Sequence, residues 1–329
     1  MSEKEFNGVL VFAEQKNGEI HKVSYELLAK GKELASKIQV PVFAALLGPA
    51  GMKTEELIYR GADKVFYIEG NEFNEPEELI YIDNLLSLIK EVKPEICLIG
   101  ATTMGRSIAP RLAAALETGL TADCTGLVID EDSKLVQIRP AFSENILAHI
   151  KTDTYPQMAT VRYKEFSEAK RDTALTGEVV NVKPLSTGDR LVQVLEELNS
   201  EEFDISECDI VVAGGKGVRC AEDFKMLEEL AGLLGGVVGG TRPVVDEGYL
   251  SKDRQVGYSG NRVKAKLYIA CGISGAAQHV AGMKESDVII AINSDPSSPI
   301  FNTANYGIVG DLYEVVPQFI NKIKSLQGV

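Results

Sequence analysis

Twice along this chain, short runs of apolar β-formers alternate with helical patterns, and that alternation restricts the fold more than any other feature. Gly8–Ala13 (GVLVFA), Val40–Leu46, Lys64–Ile68 and Glu95–Gly100 (EICLIG) read as strands. Between them Val23–Ile38, Thr54–Arg60 and Glu78–Val92 place apolar residues at helical spacing, and Ser107–Leu116 continues the series as a helix. Strands joined by helices imply a parallel sheet covered on both faces. From about Asp123 to Val182 the pattern changes. Gly126–Ile129, Leu135–Ile138, Ile146–Ile150, Met158–Arg162 and Val179–Val182 read as strands without intervening helices, an antiparallel extension of the first domain.

A polar, acidic stretch follows, Glu196–Glu207 (EELNSEEFDISE), which reads as a linker or as a long surface loop. Beyond it a second α/β series begins. Asp209–Ala213, Val237–Gly239, Leu267–Cys271 (LYIAC) and Val288–Ile292 (VIIAI) are its strands, and Ala221–Leu234, Ser274–Met283 and Leu312–Ile323 its helices. With 329 residues, two domains are expected: 1–195, a linker 196–207, and a doubly wound domain 208–329.

Lys and Arg number 34 against 48 Asp and Glu, a net charge of −14, which repels phosphate backbones and argues against nucleic-acid binding. His21, His149 and His279 are too few and scattered for a histidine metal site. Cys97, Cys124, Cys208, Cys220 and Cys271 are odd in number and lack C-x-x-C spacing, so neither a disulfide framework nor a zinc ribbon is expected. No targeting signal or apolar run of membrane-spanning length stands out, which points to the cytoplasm and away from a membrane.

The chemistry gathers in the second series. Gly214-Gly215-Lys216-Gly217 follows a strand directly, but lysine followed by glycine is not a phosphate-binding P-loop, and a structural glycine turn reads as well. Gly272-Ile273-Ser274-Gly275-Ala276-Ala277-Gln278-His279 is strand, glycine turn and helix start, with Ser274 placed to cap. Gly239-Gly240-Thr241-Arg242-Pro243 offers an arginine where a helix opens, or simply a surface arginine. Gln255-Val256-Gly257-Tyr258-Ser259-Gly260 brackets a hydroxyl with glycines. Asn293 and Asp295 end a strand, and Asp311 follows Gly310, where it serves a ligand or caps the last helix. Each has a plain structural reading. Together they crowd glycine-bearing, polar strand ends into one small domain, as an elongated, phosphate-bearing dinucleotide requires.

These motifs, in this order, resemble the alpha subunit of electron transfer flavoprotein. LYIACGISGAAQHVAGMKESDVIIAINSDPSSPIF and ANYGIVGDLYEVVP are similar to that family's C-terminal signature. GGKGV, GGTRPVVDEG and QVGYSG resemble its earlier FAD-domain blocks, and VFAEQKNGEIHKVSYELLAKGKELA and GATTMGRSIAPRLAAALETGLTADCTGL its first domain. The resemblance implies a heterodimer with a beta subunit, a nucleotide-binding-like first domain and FAD in the second. It implies FAD contacts at Lys216, Thr241, Gln255, Val256, Gly257, Tyr258, Ser259, Ser274, Gly275, Ala276, Ala277, Gln278, His279, Asn293, Asp311 and Leu312. Arg242 falls at the isoalloxazine, Ser259 where a hydroxyl reaches flavin N5, His279 at flavin O2, Ser274 near the pyrophosphate, and Asn293 and Asp311 near adenosine. Lys216, Tyr258, Ser259 and Asn305 depart from the family's usual Arg, Gln, Thr and Asp.

No substrate nucleophile, metal site or acid/base pair is evident, which fits an electron carrier whose cofactor does the chemistry. Arg242 and a protonated or donating His279 would favour an anionic semiquinone. The N-terminal segment is similar to electron-bifurcating forms from anaerobic bacteria. That resemblance implies a second FAD in the beta subunit, reduced by NADH, with electrons going to ferredoxin or flavodoxin and to an acyl-CoA dehydrogenase. The simple carrier, with AMP in beta, and a free-standing flavin or NAD oxidoreductase are the alternatives.

Overall fold

The computed structural model describes residues 5–74, 77–141, 146–185 and 204–327. The chain divides into two compact units, 1–195 and 196–329.

In the first unit β1 (Val9–Ala13) is buried at every position, as a strand flanked on both sides must be. A short hairpin, β2 (Gln15–Lys16) and β3 (Glu19–Ile20), leads into α1 (Lys22–Ile38). His21 starts α1 by accepting from the Val23 N–H, and Gln39 ends it in the left-handed conformation. Then come β4 (Val42–Gly48), α2 (Glu55–Ile58), β5 (Lys64–Glu69), α3 (Glu78–Val92), β6 (Ile96–Gly100) and α4 (Thr103–Ala115). Next are β7 (Leu120–Cys124), β8 (Gly126–Ile129), β9 (Leu135–Ala141), β10 (Ile146–Ile150), β11 (Gln157–Val161) and β12 (Glu178–Val182).

The main sheet has the order β12-β5-β4-β1-β6-β11-β7, with every pairing parallel. The antiparallel extension is therefore smaller than the sequence suggests: among the described residues after Asp123 only β8, β9 and β10 pair that way. Strand β11 is buried at all five positions, which suits a place between β6 and β7. Strand β12 joins the opposite edge on β5, after residues 162–177 cross α1 and α2. That crossing is fastened by the Lys164 N–H to Glu26 Oε1, the Ala169 N–H to Tyr25 O and the Asp172 N–H to Tyr59 O.

Residues 196–203 of the expected linker lie outside the described residues. Beyond them Ile205 is fully buried in a core cluster of the second unit with Val211, Val256 and Tyr268, while Asp204 and Glu207 are exposed.

The second unit contains β13 (Ile210–Gly214), α5 (Phe224–Leu234), β14 (Val237–Gly240), α6 (Arg242–Asp246) and β15 (Leu267–Cys271). It continues with α7 (Ala277–Val280), β16 (Val288–Asn293), β17 (Tyr306–Val309) and α8 (Leu312–Gln327). All five strands are parallel, in the order β14-β13-β15-β16-β17. This is the doubly wound order whose direction reverses between its first and third strands, here β13 and β15. One core cluster includes Leu227 and Leu230 of α5 and Val316 and Ile320 of α8, all at most 5% exposed. Each such side chain contributes about 1.5–3 kcal/mol relative to exposure. A second cluster joins Val256, Tyr268, Met283 and Ile300. Among the described residues no helix is long and apolar enough to cross a membrane.

Candidate functional site

Parallel strands deliver their carboxyl ends to one edge, and the crevice at the β13/β15 reversal is where such a sheet takes a ligand. Both strands run into glycine turns there. The Gly215 N–H donates to Cys271 O and the Gly217 N–H to Gly272 O, each at 3.0 Å. A Cβ on Gly215 would stand 2.5 Å from Gly272 O, and one on Gly217 2.7 Å from Gly272 Cα. The turns cross at backbone distance, with Leu312 packed beneath: a Cβ on Gly272 would meet Leu312 Cδ2 at 2.7 Å.

After Gly272 the chain does not enter a helix at once. Gly275 takes φ +90, and a Cβ there would lie 2.3 Å from Ile300 N. Helix α7 consequently begins at Ala277 with Ala276 as its cap, so Ser274 does not cap it. Among the described residues no acceptor takes the backbone N–H groups of Ser274, Gly275 or Ala276.

The remaining loops close on this turn by contact. Thr241 donates its N–H to Gly214 O at 3.1 Å, and the Val256 N–H reaches Gly240 O at 2.9 Å. Tyr258 donates its N–H to Gln278 O at 2.7 Å, and Gly257 (φ +148) lies against Gly282, where a Cβ would come within 2.5 Å of Gly257 Cα. Asn293 Nδ2 donates to Ile273 O at 2.9 Å and Oδ1 accepts from the Asp295 N–H, so this side chain fastens the Ile273 turn. Asp311 Oδ1 accepts from the Tyr313 N–H at 2.9 Å, the helix-cap role. Its Oδ2 lies 3.8 Å from Arg219 Nη2, and that guanidinium stacks over the Tyr313 ring at 4.3 Å.

The cations stand at the rim. Lys216 lies 4.0 Å from Glu247, and Arg242 pairs with Asp246 at 3.1 Å with two thirds of its side chain exposed. Such pairs contribute little to stability and leave the guanidinium available to a ligand.

His279 differs from its sequence expectation. Its ring is buried, with Nδ1 3.0 Å from Val256 O and Nε2 3.0 Å from Tyr268 Oη. A carbonyl only accepts, so Nδ1 carries the hydrogen and Nε2 accepts from the phenol. Burial pushes the imidazole down to about 4. A protonated or outward-donating His279 is therefore not what this site presents. Tyr268, its partner, escaped sequence reasoning; a polar-tipped aromatic inside LYIAC, needing a partner when buried, was the available signal.

Comparison with known proteins gives the family of both units. The model of the electron transfer flavoprotein domain matches residues 9–186, and that of the electron transfer flavoprotein FAD-binding domain matches residues 204–284. The chain is 44% identical to electron transfer flavoprotein subunit alpha of Thermoanaerobacterium thermosaccharolyticum, covering 98% of this chain and 99% of that one. The chain belongs to the electron transfer flavoprotein alpha-subunit family. It is 45% identical to the subunit alpha of Clostridium acetobutylicum over 99% of both chains. It is also 44% identical to lactate dehydrogenase (NAD(+),ferredoxin) subunit LctC of Acetobacterium woodii, over 97% of this chain and 78% of that one.

The second domain of this alpha subunit binds FAD, and its residues fit the cofactor. The glycine crossing packs the two turns backbone on backbone at the sheet's carboxyl edge, the backbone N–H groups of Ser274, Gly275 and Ala276 have no acceptor among the described residues, and Arg242 supplies positive charge. Thr241 Oγ1 is buried and has no partner among the described residues, a hydroxyl waiting for a ligand atom. An alpha subunit of this family works in electron transfer and implies a beta subunit and electron-transfer partners.

Proposed function

We propose that this alpha subunit relays single electrons through its FAD within an NADH-dependent, electron-bifurcating heterodimer. Its beta subunit holds a second FAD, which NADH reduces. One electron leaves to ferredoxin or flavodoxin, and the other passes through the alpha-subunit FAD to an acyl-CoA dehydrogenase. The observation that supports bifurcation is the 44% identity, over 97% of this chain, to a subunit whose name joins NAD(+) and ferredoxin. That name also favours a second reading of the terminal partner, a 2-hydroxy-acid dehydrogenase in place of an acyl-CoA dehydrogenase.

Bound FAD supplies reversible one- and two-electron chemistry, and the protein sets how readily each charge state forms. Arg242, exposed at the carboxyl edge, favours added negative charge on the ring. Neutral His279 adds none, and instead holds the Val256 turn against β15.

The test is to purify the heterodimer, count its FAD and AMP, and measure NADH-dependent ferredoxin reduction with and without each dehydrogenase and its acceptor. Two FADs and ferredoxin reduction only when an acceptor is present are expected. One FAD with one AMP, and no ferredoxin reduction, would reduce the role to a simple carrier.

A further inference from the structure

Ser259 stands in an exposed turn, and Gln255, four residues earlier, is only 5% exposed. The backbone of Gln255 is fixed at both ends: its N–H donates to Lys252 O at 3.1 Å and its carbonyl accepts from the Asn261 N–H at 2.7 Å. Its side chain folds back into the turn, where Nε2 lies 3.2 Å from Ser259 Oγ. Gly260 makes room for this, because a Cβ there would stand 2.8 Å from the same Nε2 and 2.9 Å from Cγ.

An amide nitrogen only donates, whereas a hydroxyl has one hydrogen and two lone pairs. With one lone pair of Ser259 Oγ occupied by the Gln255 amide, the hydroxyl hydrogen points away from the buried side chain. We infer that Gln255 is a positioning residue: its buried amide turns the Ser259 hydroxyl outward, so that Ser259 donates to an acceptor atom of the bound flavin ring. The resemblance implies a FAD contact at Gln255; with its side chain buried and its amide on Ser259, it is assigned instead an action through that hydroxyl. This rests on FAD occupying the second domain. A donated hydrogen bond strengthens as the ring gains negative charge, so the pair raises the potential of the first electron. Were the amide oxygen turned to Ser259, the hydroxyl hydrogen would be drawn inward and lost to the ligand.

The experiment uses the FAD-loaded heterodimer with Gln255→Met, which keeps length and removes the donor, with Ser259→Ala, and with both changes. Ser259→Ala should make the first one-electron reduction of the alpha-subunit flavin about tenfold less favourable, about 59 mV for one electron. Gln255→Met should give roughly a threefold loss alone and none beyond the Ser259→Ala loss in the double variant, the signature of action through one partner. FAD is counted in every variant so that each potential refers to loaded protein, and Ser259→Thr, which keeps the hydroxyl, should lose less than Ser259→Ala. An equal loss from Gln255→Met in the Ser259→Ala background, or no loss in either, overturns the inference. A flavin-free measurement separates it from the cofactor reading. The Gln255 side-chain amide resonance, identified by its disappearance in Gln255→Met, should shift in Ser259→Ala. An unmoved resonance refutes the pair whether or not FAD binds, whereas failure of the wild type to take FAD refutes the cofactor reading alone.

Discussion

The Tyr268 phenol donates to His279 Nε2 across 3.0 Å, while the same imidazole gives its Nδ1 hydrogen to Val256 O. The pair ties the β15 strand to the loop that carries Ser259. Burial holds it neutral on both sides, pushing His279 down to about 4 and Tyr268 well above its ordinary 10. In the unfolded chain the imidazole titrates near its ordinary 6.5, so between those values the unfolded state binds more protons and stability rises with pH. The contribution is present above about pH 6.5 and is lost as pH falls through 4, about 3 kcal/mol in all. Urea unfolding of the flavin-free protein at pH 7, 5.5 and 4 measures it. His279→Asn should be much less stable than wild type at pH 7, and the gap should narrow steadily toward pH 4. A gap independent of pH would mean that the native imidazole takes up its proton over the same range as in the unfolded chain.

That pair also marks where sequence reading stopped. The alternation of strands and helices was legible because it is local: β1, α1, β5 and α3 fall within a residue or two of where apolar spacing puts them. Pairing is not local. Nothing within Gln157–Val161 says that β11 lies between β6 and β7, except that all five positions are buried, and burial is a property of the assembled sheet. The strand ends that carry the site were legible as glycine-rich turns. Ser274 was misread as a cap because a serine before a helix usually is one, and only the contact between Gly275 and Ile300 shows the helix starting later. His279 was singled out from its neighbours in the chain, but its protonation is set by Tyr268 and Val256, which only the fold brings to it.

Gly275 sits at φ +90 with backbone atoms of Pro299 and Ile300 within 3 Å of where a Cβ would go. Backbone cannot rotate aside as a long side chain does. Gly275→Ala should therefore cost at least about 1–3 kcal/mol from the dihedral alone, and should also strip FAD by moving the unpaired N–H groups. Gly232→Ala is the matching control. It lies within α5 with nothing inside 4 Å of the added carbon, and should stabilise the protein by about 0.5–1 kcal/mol. Urea midpoints and retained flavin, read on both variants, check the pair. A Gly275→Ala protein with full flavin and unchanged midpoint would show that the turn is not held as described.

Arg242 pairs with Asp246 on the surface of a five-residue helix, and both side chains are more than half exposed. Arg242→Ala should leave folding stability within about 0.5 kcal/mol. It should, however, make the first one-electron reduction of bound FAD about fivefold less favourable, the scale of one lost charge a few ångströms away through solvent. Potentiometric titration of the heterodimer, run at low and high salt, reads this directly, and the loss should shrink as salt screens the charge. An unchanged potential at low salt would place the guanidinium away from the ring.

Thr241 separates a ligand contact from a structural one by sign. Its Oγ1 is buried without a partner among the described residues, at the end of β14 and the start of α6. An unsatisfied buried hydroxyl is a cost to the flavin-free protein, so Thr241→Val, nearly the same shape, should stabilise that form by about 1–3 kcal/mol. When FAD supplies the missing partner, the same change removes a hydrogen bond worth about 0.5–1.5 kcal/mol, so the variant should bind FAD several-fold more weakly. Thermal unfolding without flavin and equilibrium FAD titration, measured on one preparation, test both halves. Lower stability without flavin would reveal a protein partner for the hydroxyl. Unchanged FAD affinity would remove Thr241 from the cofactor's contacts and leave the orphaned hydroxyl a cost with no return.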